Sequence, residues 1–179
     1  MIYSGFLFFS ICSQIQTNRW CVGLHFTLID LDGNSGSPEI IIKDKAISSH
    51  DIFEGIDVVK HANGNDWWII TKGMPIQGTC SRSFHLTLMT DSGFQNIPVQ
   101  NIGPEFCNRP LDPGIGIKFS KNGNKIVLHS YSSGDSVLTV FDFDRCNGNI
   151  KNPLVVDSLN KYYDCDFSFN SKKLYCNVN

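Results

Sequence analysis

The chain has 179 residues, enough for one sizeable core. With 41% hydrophobic and 18% charged residues it is set to fold, on a surface poorer in charge than usual. A net charge of −2, no Lys/Arg block and no apolar run near the roughly 18 residues that span a bilayer argue against nucleic acid, anionic membranes and membrane insertion.

Residues 1–13 (MIYSGFLFFSICS) are apolar, but no Lys or Arg precedes Arg19 and no small-residue cleavage site follows. They fit a buried strand over residues 5–11 better than a signal peptide. From there on, no stretch keeps an i, i+3, i+4 apolar pattern long enough for a convincing helix. Short β-rich runs separated by turn residues take its place. The first clear one is residues 26–33 (FTLIDLDG), followed by an apolar run at 39–42. Residues 58–70 (VVKHANGNDWWII) are a hairpin of another kind, turning at Asn63-Gly64, because both residues tolerate positive φ. The first kind returns at 86–93 (LTLMTDSG), trailed by 97–102. The second returns at 117–128 (IKFSKNGNKIVL), the first at 138–148 (LTVFDFDRCNG), trailed by 153–156. The second comes once more at 165–175 (CDFSFNSKKLY), where Asn170-Ser171 makes a weaker turn than Asn-Gly.

Two alternating hairpins make a four-stranded unit that recurs every 50 to 60 residues or so, the pattern of a propeller blade. One twisted sheet leaves its apolar faces open, so neighbouring sheets stack on it. Runs apolar on both faces, such as Trp67-Trp68-Ile69-Ile70, suit a sheet lying between two others. The expected fold is therefore all-β: a partial β-propeller of stacked four-stranded antiparallel blades, a fragment and not closed. Residues 1–49 are read as a partial blade (strands 2–4), 50–108 and 109–160 as full blades, and 161–179 as the first hairpin of a further blade.

Seven cysteines (Cys12, Cys21, Cys80, Cys107, Cys146, Cys165 and Cys176) form no CxxC pair and no metal spacing with the five histidines. The plain expectation is buried or half-buried thiols. A Cys80–Cys107 bridge is an open alternative that spacing does not support. Cys165 and Cys176 flank one turn, where a one-residue register change separates them.

The same residues carry a likeness. Residues 61–70 (HANGNDWWII) resemble the "KHANGxDWWII" strand pair of propeller regions (WD/YVTN-repeat-like) in secreted Bacteroidetes proteins, often linked to gliding-motility or type IX secretion sorting domains. Residues 141–148 (FDFDRCNG) are similar to that family's "LFDFDRCTG", residues 166–175 to "EFSPNSKKLY", and residues 26–33 to "YSVVDMDLNG". The resemblance covers most of the chain from about residue 6 onward. It implies a propeller in an exported parent protein, with Asp142 and Asp144 structural, and carries no catalytic motif. The chain departs from it at Phe169 and Ser171, which stand where the family has proline and glycine, and it holds no sorting domain.

Trp67 and Trp68 point to opposite faces of a strand and are expected to fill the spaces between neighbouring blades. His61 and Asp66 lie across a tight turn, where a local hydrogen bond is the ordinary reading. His25, His85 and His129 sit at loosely similar β positions, with no sign that they converge on a metal. The carboxylates of Asp30, Asp32, Asp142, Asp144, Asp164 and Asp166 alternate along strands and read as turn and hairpin stabilisers, since no D-x-D-x-D-G loop appears. No G-x-S-x-G, P-loop, G-x-G-x-x-G or H-E-x-x-H occurs, so no catalytic residue, metal or cofactor is assigned. A binding surface is expected on the loops that join strands 2 to 3 and blade to blade, residues 73–83, 103–113 and 131–136. Arg82, Arg109, Asp112, Tyr131 and Asp135 are its candidate contacts.

The expected function is a non-catalytic binding or scaffold segment of a larger exported or cell-surface protein. Its partners are expected to be a protein or glycan, and the missing blades of the same parent chain. A propeller enzyme of glycosidase or lyase type with an axial active site, and a structural spacer of an adhesin, are the alternatives.

Overall fold

Alternating β-branched and aromatic residues, broken by Gly, Asn and Ser turns, make strands along most of the chain. The computed structural model describes residues 5–12, 23–75, 79–107, 114–130 and 136–178. It is all-β, with several antiparallel sheets, none closed on itself. Among the described residues, helix is confined to one turn, α1 (Gly33–Gly36).

The chain forms two compact units, Met1–Ile52 and Phe53–Asn179. The first holds β1 (Gly5–Cys12), β2 (Gly23–Asp30) and β3 (Glu39–Ser48), in the order β1-β2-β3. β1 and β2 pair without a break from Gly5 opposite Asp30 to Cys12 opposite Gly23. β2 and β3 shift register three times. Leu24, Phe26 and Leu28 of β2 are buried, while Ile40 and Ile41 of β3 are exposed.

In the second unit, β4 (Ile52–Lys60), which starts at the unit boundary, β5 (Trp67–Gly73) and β6 (Cys80–Thr90) run as an antiparallel meander. β7 (Gly93–Asn96) and β8 (Gln100–Cys107) both pair with β6 and share the fourth place. A second meander follows: β9 (Ile115–Phe119), β10 (Lys125–Ser130), β11 (Leu138–Asp144) and β12 (Asn149–Asp157). β13 (Tyr162–Phe167) and β14 (Leu174–Val178) form a two-stranded sheet.

The β9–β12 sheet is covered on both faces. Ile117, Phe119, Ile126, Leu128, Phe141 and Phe143 point one way and pack with Trp68, Ile70, Phe84 and Phe106 of the β4–β8 sheet. Val127 and Leu138 point the other way and pack with Tyr162, Cys165 and Phe167 of β13. This is the period of two of a strand, used on both sides. Burying each such side chain contributes about 1.5–3 kcal/mol. Equivalent strands face each other: β8 lies near β12, and β13 near β9.

Polar groups zip the same interfaces. Trp68 Nε1 donates to Arg145 O at 2.8 Å, and its ring meets Phe143 edge-on. Gln100 takes Ile150 N–H and gives to Gly148 O. Trp68 thus fills the space between two sheets as expected. Trp67 does not: it is 36% exposed, under Lys60 Nζ. His61 bonds across its turn as expected, its N–H donating to Asp66 O at 2.8 Å. Its side chain makes no bond with Asp66; Nδ1 accepts Asn63 N–H and Nε2 gives to Cys146 O at 3.0 Å on the other sheet.

The three Asn-x turns share one hydrogen-bond pattern. His61, Ser120 and Ser168 each donate their N–H to the residue five on (Asp66, Lys125, Lys173), and accept from Gly64, Gly123 and Ser171. All three closing residues have positive φ, and Ser171 carries a side chain there at +58°. The other hairpins share a different device. Asp30, Thr90 and Asp144 each accept, on a side-chain oxygen, the N–H two residues on.

Four cysteines depart from the free-thiol expectation. Cys80 and Cys107 stand opposite each other on β6 and β8, Cys165 and Cys176 on β13 and β14, and both pairs are disulfide-bonded. Cys146 is an exposed free thiol.

Candidate functional site

The first strands of three sheets, β4, β9 and β13, begin at one end of the second unit. Between them runs a groove of about 300 Å³ lined by Glu54, Gly55, Gly116, Lys118, His129, Tyr163 and Asp164. It opens because the strands come close without side chains between them. A Cβ on Gly55 would stand 2.5 Å from Ile115 O, and one on Gly116 would stand 2.0 Å from His129 Nε2. Glycine is therefore the residue that lets the His129 ring lie over β9.

His129 is the groove's anchor. It is 3% exposed, and its Nδ1 gives a 3.0 Å hydrogen bond to Tyr162 O. The tautomer so fixed leaves Nε2 with its lone pair, 4.0 Å from Asp164 Oδ1. Burial lowers the ring's pKa, more than the bond to Tyr162 and the Asp164 charge raise it, so the imidazole stays neutral at ordinary pH. Asp164 is largely exposed and also accepts Cys165 N–H. Glu54 is exposed and Lys118 half-buried. Just below the groove, Asp57 of β4 accepts Phe119 N–H of β9 at 2.6 Å, and burial raises its pKa above the usual carboxylate value.

The remaining candidates are placed as follows. Arg82, on β6, forms an exposed ion pair with Glu105 of β8 at 3.1 Å. Arg109, Asp112, Tyr131 and Asp135 lie outside the described residues. His25 pairs with Asp44 at 2.9 Å. Asp142 binds Lys125 and Asn152, and Asp166 binds Lys121 at 3.0 Å; both carboxylates are held below their usual pKa chiefly by those lysine bonds. No cluster of three or more His, Cys, Asp or Glu side chains set to hold a metal occurs among the described residues. Glu54, Lys118, Tyr163 and Asp164 were not singled out as contacts from sequence, because the groove gathers them from strands far apart in the chain.

Two further features lie away from the groove. A second hollow, of about 370 Å³, gathers Ala62, Asn124, Asp144, Arg145 and Asn152 at the turns that close the opposite strand ends. Lys72 of β5 is fully buried; its Nζ donates to Ser83 O at 3.0 Å and Ser81 O at 3.4 Å, and stands 5.0 Å and 5.3 Å from the rings of Phe84 and Phe106. Burial lowers its pKa to about 7.

No protein-family model matches the chain, and no curated protein matches it.

Proposed function

We propose that the chain is a run of β-propeller blades that binds a protein or glycan, without catalysis, through the groove at the starts of β4, β9 and β13. The observation that carries this reading is the double coverage of the β9–β12 sheet by two separate sheets, with equivalent strands facing each other. In a propeller the first strands of successive blades line a common axis, and the groove is lined by residues of β4, β9 and β13. The likeness to secreted Bacteroidetes propeller regions agrees with it. The two disulfides favour an exported or cell-surface parent protein, since such bonds persist in oxidising compartments.

The test is an array of glycans and surface proteins probed with the purified chain. Lys118→Ala combined with Glu54→Ala weakens the bound probe at least about tenfold, a loss of roughly 1.4 kcal/mol. Lys151→Ala, at the second hollow, leaves it unchanged. Equal binding by all three proteins rejects the groove.

One observation favours a second reading, an enzyme of glycosidase or lyase type: the neutral Nε2 of His129, a candidate general base, lies 4.0 Å from the Asp164 carboxylate. Release of cleaved product from a bound oligosaccharide, abolished by Asp164→Asn, selects that reading.

A further inference from the structure

We infer that the groove takes an uncharged sugar ring, a hexose or a short neutral oligosaccharide; this rests on the groove being the binding site. The fold holds one acceptor nitrogen in place at the groove wall. The His129 side chain is 3% exposed, its Nδ1–H is committed to Tyr162 O, and the ring lines the groove with Nε2 left as an acceptor. An acceptor fixed in this way offers a bond to a donor group of the ligand.

The neighbours narrow the class. Asp164 and Glu54 add carboxylates, which accept only, and Lys118 adds an ammonium, which donates only. A ligand group that satisfies both kinds at once must donate and accept, and a hydroxyl does so. A sulfate or phosphate offers no donor to His129 and meets two carboxylates. An ammonium offers nothing to Lys118. Tyr163, 62% exposed at the groove, presents a ring face against which the C–H side of a sugar stacks. A hollow of about 300 Å³ is at the low end of small-molecule sites, suited to a mono- or disaccharide.

Calorimetric titration of the whole chain with neutral hexose oligosaccharides, their sulfated and sialylated forms, and amino-sugar oligomers tests this. Saturable binding of a neutral glycan is expected, weakened about tenfold or more in both Tyr163→Ala and Asp164→Asn. Both side chains are exposed, so unchanged circular dichroism and melting temperature show that folding is kept. Preference for the charged glycans, or neutral-glycan binding equal in all variants, overturns the inference. If a surface protein binds through Lys118 and Glu54 while no neutral glycan does, the sugar falls and the groove stands. If neither class binds, both fall.

Discussion

Lys72 holds an amine where water does not reach, and the carbonyls and rings around it offset only part of the cost of charging it. Its pKa in the folded chain is about 7, against 10.5 ordinarily. Across that window the unfolded chain holds a proton that the folded one has released, so stability rises with pH from about 7, by about 1.4 kcal/mol per pH unit. Denaturant midpoints at pH 6.5 and 9 measure it, and Lys72→Met removes the slope that this residue contributes. Thr139 makes the opposite case. Its hydroxyl is buried without a partner among the described residues, so Thr139→Val, nearly the same shape, is expected to raise stability by about 1 kcal/mol in urea titrations. Neither residue was legible in the sequence. A lysine amid β-branched residues reads as a solvated alternate position, and only the fold brings Phe106 over Lys72 from far along the chain. His129 was visible as a residue but not as a site, since its meaning comes from Tyr162, Gly116 and Asp164 together.

At the level of single hairpins the sequence was informative. Asn-Gly signals positive φ from two residues alone, and the turns at Gly64 and Gly123 are closed by the same pair of bonds. Asn122 Oδ1 also takes the Asn124 N–H and the Ser120 hydroxyl. Asn122→Ala removes both and is expected to cost about 1–2 kcal/mol, read from thermal melts. The disulfides were not readable in this way. Each depends on register, and a slip of one residue places the two sulfurs on opposite faces. Replacing Cys80 and Cys107 together by alanine is expected to lower stability by about 2–4 kcal/mol in non-reducing denaturation. The Trp67-Trp68 pair shows the same limit: alternation says that the rings part, but which face finds a second sheet is settled by Phe143 and Gly148 of a later repeat.

Across the second unit, protection should follow layering. β10 lies mid-sheet between two others, and Ile126, Val127 and Leu128 are all fully buried. Its amides are expected to exchange with deuterium most slowly, and those of β12 and β14 fastest; β12 outlasting β10 contradicts the layered order. The all-β class was legible because it rests on local period and turn chemistry. The groove was not, because each sheet supplies only a part of it. The outer strands carry one more consequence. β3 and β12 expose Ile40, Ile41, Leu154, Val155 and Val156, a composition prone to fibre growth. Both also shift register against their neighbours, with Asp44 and Asn152 at positive φ within those shifts. A kinked rail offers no straight template, which disfavours lateral addition of further copies. Excising Asp44 removes one of the three shifts along β3, and a thioflavin signal growing over hours at neutral pH is the outcome that such a deletion should bring.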